Sequence, residues 1–210
     1  MRYRLSELNC TSPYFLAMKC VLNDERAIYC SSELTSGLRL YNELLKRDLK
    51  ADWELKRQVG DAWYKKNIVK VNSDAANEFA ASVRRKQTDG TLVITPAPLE
   101  VPGWGQPEYL AFWEELIRTR VKEVRFNKNW QFSNGCTLEF WAAADQGIPT
   151  FDLDGNPLGL GAAMASIQAA VEHLDKDGFD TAKLRDNLLL MRSLGAPPPT
   201  NGANHHVNPS

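Results

Sequence analysis

The residues from Trp130 to Ala144 read Trp-Gln-Phe-Ser-Asn-Gly-Cys-Thr-Leu-Glu-Phe-Trp-Ala-Ala-Ala. From Gly135 onward every position is small or apolar except Thr137 and Glu139. A helix that is apolar on all sides belongs inside a domain. A lone carboxylate on it is costly unless it is paired, hydrogen-bonded or protonated. Glu139 is therefore a candidate for a tuned acid, base or nucleophile. The plain alternatives are a position at the helix edge or a structural pair with an arginine. Ser133 stands where the helix cap belongs, and capping alone explains a serine there. The free N–H groups of Asn134, Gly135 and Cys136, with the helix dipole, would also bind an anion, and Gly135 would let a phosphate approach the backbone closely. A second carboxylate, Glu114, falls within the apolar stripe Leu110, Trp113, Ile117 and Val121 of a helix over 108–121, whereas Glu115 points away. Glu114 and Glu139 together would form an acid/base or nucleophile pair. Pairing with Arg118, or snorkelling to the edge of the stripe, would leave Glu114 structural.

These residues need a scaffold, and the hydrophobic pattern supplies one. Residues 26–30, Arg-Ala-Ile-Tyr-Cys, read as a short buried strand. A polar loop through Ser31, Ser32 and Gly37 leads to a helix over 38–49, whose apolar residues recur at helical spacing. The charged segment 50–89 predicts one or two helices, the clearer over 73–87, and reads as an insertion that covers the site. A second strand over 91–94 runs into Thr95–Gly105, where three prolines and two glycines, Gly103 and Gly105, exclude regular structure. A third strand over 121–126 follows the 108–121 helix. The helix over 135–146 ends at Gly147, with Pro149 just beyond. A fourth strand over 150–153 closes on Asp154-Gly155-Asn156-Pro157, and two more helices span 161–175 and 181–194. From Ala196 the Pro-rich composition predicts a disordered tail. Strands alternating with helices imply an α/β fold with a parallel sheet covered on both faces.

Composition sets outer bounds. With 210 residues, 43% of them hydrophobic and 24% charged, the chain suits one α/β domain. Its 25 basic and 26 acidic residues leave a net charge of −1, so no overall pull toward a nucleic acid polymer or an anionic membrane is expected, although a local basic patch is compatible with that balance. The four cysteines, Cys10, Cys20, Cys30 and Cys136, lack zinc-ligand spacing and read as reduced thiols of a cytoplasmic protein. Of the three histidines two lie in the last six residues, so neither a metal site nor, without His173, a Ser-His-Asp triad is expected. No export signal or membrane-spanning run is read from the sequence.

The run Ser133-Asn-Gly-Cys-Thr-Leu-Glu139, followed by Ala142 and Gly147-Ile148-Pro149, resembles the signature of the nucleoside 2-deoxyribosyltransferase superfamily. That superfamily holds nucleoside deoxyribosyltransferases, nucleoside-monophosphate N-glycoside hydrolases and a large bacterial and phage branch, which the stretch 126–149 resembles most. Ile28-Tyr29-Cys30-Ser31-Ser32 with Gly37 is similar to the family's first strand and nucleotide loop. The likeness covers roughly 26–45 and 91–153, a little over a third of the chain. It implies a flavodoxin-like or Rossmann-like three-layer sandwich over 1–195, with 50–89 as a helical insertion and 196–210 as a tail. It implies Glu139 as the nucleophile at the anomeric carbon, or as the carboxylate that stabilises its charge. Ser133, with Asn134 and Gly135, would hold a 5′-phosphate. Glu114 falls near a family Asp, and Ser31 and Ser32 stand where a glycine is usual. Tyr29 and Trp104 would stack on a base, with core packing the alternative for Tyr29. A homodimer sharing active-site residues is implied as well.

Cleavage of an N-glycosidic bond passes through an oxocarbenium-like state, which a carboxylate below the sugar stabilises or captures as an ester. A second carboxylate would position the sugar or carry a proton to the base. No metal or organic cofactor is required. The expected activity is hydrolysis or transfer at the N-glycosidic bond of a nucleoside 5′-monophosphate or nucleoside. Two rivals remain open: a non-catalytic module that binds or senses a nucleotide, and an interaction protein with a decayed site.

Overall fold

The structure is a computed structural model, and it describes residues 13–22 and 26–195. Four strands, β1 (Ala27–Ser31), β2 (Val93–Ile94), β3 (Val121–Phe126) and β4 (Thr150–Phe151), form one sheet in the order β2-β1-β3-β4. Every pairing is parallel. Such a sheet must be covered on both faces, and the side chains of β1 divide accordingly. Ile28 and Cys30 point to one side and pack with Val93 against Phe79, Ala80 and Val83. Ala27 and Tyr29 belong to the larger core on the other side. The result is an α/β sandwich with the flavodoxin-like strand order.

Nine α-helices are described: α1 (Pro13–Leu22), α2 (Leu38–Lys46), α3 (Asp52–Val59), α4 (Asp61–Tyr64), α5 (Lys70–Lys86), α6 (Gln106–Arg120), α7 (Asn134–Asp145), α8 (Leu160–Lys176) and α9 (Ala182–Leu194). Helix α1 covers 13–22, ahead of the first strand; residues 1–12 and 23–25 lie outside the described residues, as does the 196–210 tail. The segment 50–89 is more helical than its pattern predicts. α3 stops at Gly60, whose φ of 83° breaks the turn. Thereafter α4, a π-helical turn over Lys65–Val69 and α5 run on without a gap. Interleaved charges mask the repeat there, and burial of Leu55, Tyr64, Ile68, Ala76 and Phe79 supplies the stability that propensity lacks.

Helix α7 is held at both ends by local chemistry. Gly147, at φ 64°, permits a left-handed exit. Its N–H donates to the Ala144 carbonyl, and the Ile148 N–H donates to Ala143, a Schellman closure. Its packing is aromatic: Phe140 lies 5.4 Å from the Trp130 ring and 5.6 Å from Phe126 of β3. Phe140 is 1% exposed, so its truncation to Ala costs about 3–5 kcal/mol. This cluster sets which face of α7 meets the sheet.

Candidate active site

Glu139 immediately precedes Phe140, and the packing that buries Phe140 turns Glu139 toward β1. Residues 29 and 31 of that strand share a face by the period of two. Both carry hydroxyls, and both reach the carboxylate. The Tyr29 hydroxyl donates to Glu139 Oε1 at 2.8 Å and the Ser31 hydroxyl to Oε2 at 2.6 Å. Glu139 is 7% exposed, and no ion pair to it occurs among the described residues. Burial pushes its carboxyl up to about 7, while the hydrogen bonds from Ser31 and then Tyr29 hold it from rising further. Burial also raises the Tyr29 phenol, and the Glu139 charge adds to that, so Tyr29 remains a protonated donor. The Cys136 thiol is raised by burial and then by Glu139, which keeps it from acting as a thiolate.

The carboxylate lines a cavity of about 710 Å³, a volume suited to a small organic ligand. The cavity's walls are the loop after β1, the Pro96–Gly105 loop after β2, the start of α7 after β3, α6, and the run from α3 into α5. These loops all leave the carboxyl ends of the strands, where the order reverses between β1 and β3. Ligands bind at such a switch point in open α/β sheets.

The sequence-derived site residues separate here. Ser133, Gly135, Ser32 and Trp104 line the cavity with Glu139. Ser133 caps α7, its Oγ 3.5 Å from the Cys136 N–H, and it lies 3.2 Å from the Ser36 hydroxyl. A Cβ at Gly135 would meet its nearest neighbours at 3.8 Å and 3.9 Å, so packing within the chain does not demand glycine there. Trp104 packs edge-on against Tyr14 and Tyr109. Ser31 and Tyr29 act on the carboxylate itself. Tyr29 is fully buried, its ring 5.6 Å from Trp113, so its face is closed to a base.

Three others stand apart from the cavity lining. The Asn134 carbonyl accepts from Thr137 Oγ1 and Asn187 Nδ2, as part of the α7–α9 contact. Gly37 has φ 106°, and a Cβ there would lie 1.9 Å from Glu33 Oε2; its role is to admit that carboxyl beneath the start of α2. Glu114 is buried as its stripe position implies, but Arg118 Nε donates to its Oε1 at 3.0 Å. Arg118 also donates to Asp145 and lies over the Trp141 ring. Helix α6 thus does not bring Glu114 to Glu139, and the pairing with Arg118 is what the structure supports.

Glu33, outside the cavity lining, carries no signal in the sequence. Its Oε2 accepts the Leu38 N–H at 3.0 Å, and burial pushes it up to about 7 against the lowering effect of that bond. The lysines of the cavity, Lys56, Lys65 and Lys70, were equally invisible, because their run reads only as a charged segment. The one signal available for the Glu139 partners was the pair of hydroxyls two residues apart on a buried strand. No group of three His, Cys, Asp or Glu side chains able to hold a metal occurs among the described residues, nor is any described helix long and apolar enough to cross a membrane. Comparison with family models, with curated proteins and with solved structures finds no match for the chain.

Proposed function

We propose that the chain cleaves the N-glycosidic bond of a nucleoside or nucleoside 5′-monophosphate, or transfers its glycosyl group, with Glu139 as the group that meets the anomeric carbon. One observation carries this reading. A buried carboxylate with two hydroxyl donors and, among the described residues, no cationic partner lines the cavity at the switch point of the sheet. A structural carboxylate at this depth would be expected to have a cation. An oxocarbenium-like centre supplies that missing positive charge during reaction, which is when the stabilisation is useful.

The ionised carboxylate attacks or faces C1′, and the C–N bonding pair leaves with the base, which takes up a proton from water. In the covalent variant an ester forms on one Glu139 oxygen. Water, or a second base, then displaces the carboxylate and gives hydrolysis or transfer. Tyr29 and Ser31 hold the carboxylate plane fixed and favour its charged form. Because the nucleophile must be ionised, kcat/KM rises with pH through about 7. Ser133 and Gly135, at the start of α7, remain the residues that resemblance offers for a phosphate, and Gly135 has no packing reason to be glycine.

A second reading is a module that binds a nucleotide without turnover. It is favoured by the titration of Glu139 near neutrality, since a protonated carboxyl hydrogen-bonds well and attacks poorly. Chromatography separates the two. The purified chain is incubated with nucleosides, nucleoside monophosphates and NAD beside a Glu139→Gln control. Free base that disappears in the control establishes the glycosidase. Ligand-induced thermal stabilisation with no base release from any member supports the binding module and sinks the enzyme.

A further inference from the structure

The cavity has two unlike sides. Its three ammonium groups, Lys56, Lys65 and Lys70, all come from the helical run that ends in α5, the helix packed on the Ile28–Cys30 face of the sheet. Trp104, Tyr109 and Trp113 come from the loop after β2 and from α6, which contacts Tyr29 on the other face. Lys65 opens the π-helical turn, Val69 closes it, and Lys70 follows; Lys65, Val69 and Lys70 all line the cavity. Such a turn holds an extra residue and redirects the side chains around it, and it recurs at functional sites. Lys56 donates to Asp52 and Lys70 to both oxygens of Asp74. Among the described residues Lys65 makes no such contact.

Helix N-termini are the usual phosphate anchors of this fold, and the one at α2 is already engaged. Glu33 accepts the Leu38 N–H at the start of α2. Ser133 caps α7, is 3% exposed and lies against Ser36. Meanwhile the buried Ser32 hydroxyl, 6% exposed on a residue that lines the cavity, has no partner among the described residues. A phosphate entering the cavity therefore finds, among the described residues, a lysine without an acidic partner at Lys65.

We propose that the ligand is a phosphorylated nucleoside whose phosphate is held by Lys65, with Lys70 and Lys56 beside it, and whose base lies against Trp104 and Tyr109. The assignment rests on the N-glycosidic reading of Glu139 for the nucleoside part, but the anion site stands on its own residues. Asp61 and Glu100 share the lining, so a fixed set of lysines, rather than a general positive field, must do the recognising.

The test uses the full chain and inorganic pyrophosphate as probe, with calorimetric titration at low salt. Wild type is compared with Lys65→Glu, Lys70→Glu and, as a charge-matched control, Lys183→Glu on the exposed side of α9. The expected result is binding to wild type, weakened about tenfold or more by Lys65→Glu and by Lys70→Glu and unchanged by Lys183→Glu. Absence of binding to wild type overturns the proposal, as does equal binding by Lys65→Glu, or an equal loss in Lys183→Glu. Preference for a single-stranded oligonucleotide over pyrophosphate overturns it too. The thermal midpoint of each variant shows that it is folded. Base release that ignores the lysines would leave the glycosidase reading intact and remove this one; lysine-dependent pyrophosphate binding without base release would do the reverse.

Discussion

Glu139 on α7 and Glu114 on α6 have the same sequence signature, a carboxylate within an apolar helix face, and the fold treats them in opposite ways. Glu114 receives a cation one turn away on its own helix, Arg118, which Asp145 and the Trp141 ring fix in place. Glu139 receives two hydroxyls from a strand and, among the described residues, no cation. A neighbour of opposite charge neutralises a buried carboxylate and ends its chemistry. Hydroxyl donors satisfy its hydrogen bonds while leaving its charge available. The contrast teaches that burial alone does not identify a reactive carboxylate; the identity of the partner does.

The sharpest way to break the comparison is to neutralise each carboxylate in turn. Glu139→Gln should lower base release by about 10³-fold or more, measured by chromatography under single-turnover conditions; retention of activity would end its assignment. The same substitution should change stability with a definite sign. The Glu139 pKa lies near 7 in the folded state, above the ordinary carboxyl value of 4.5. Stability linked to it is therefore complete below about 4.5 and is lost as pH rises through about 7. The cost at pH 8 is about 3 kcal/mol, and Glu33 adds a contribution of the same sign. Urea unfolding at pH 5 and pH 8 should show Glu139→Gln gaining on wild type at the higher pH; a gain at pH 5 alone would contradict the buried, cation-free description.

Tyr29→Phe removes one donor and leaves Oε1 without it. Turnover should fall about 10- to 100-fold, and the midpoint of the kcat/KM profile should move above about 7, because a hydrogen bond that lowers the Glu139 pKa is gone. A profile that stays in place would mean that Tyr29 only packs. The smallest effect belongs to Glu114→Gln. Loss of its bond with Arg118, which keeps Asp145, should cost about 1 kcal/mol, with base release within about twofold of wild type. A hundredfold loss of turnover there would return Glu114 to the site and erase the distinction between the two helices.

Much of this was legible along the chain. The apolar run 26–30, the Ser133 cap, the Gly147 exit and the lone carboxylate at 139 depend on contacts a few residues apart, which strand period, helix period and capping chemistry describe. So did the parallel sheet, which follows from strands separated by helices. The run Asp52–Lys86 was less legible, because its buried stripe of Leu55, Tyr64, Ile68, Ala76 and Phe79 is interrupted by a break at Gly60 and a π-helical turn that shift the period. What only the tertiary structure decided is which partner each carboxylate meets. Tyr29 and Ser31 lie 110 and 108 residues from Glu139, and they reach it because β1 is central in the sheet and the aromatic packing of Phe140 sets the rotation of α7. Glu114 had an arginine four residues along, so its pairing was open to sequence; that it would stay out of the cavity was not. Local periodicity sets which residues share a face. The order of the strands and the rotation of the packed helices set what that face touches, and it is this contact that tunes the charge.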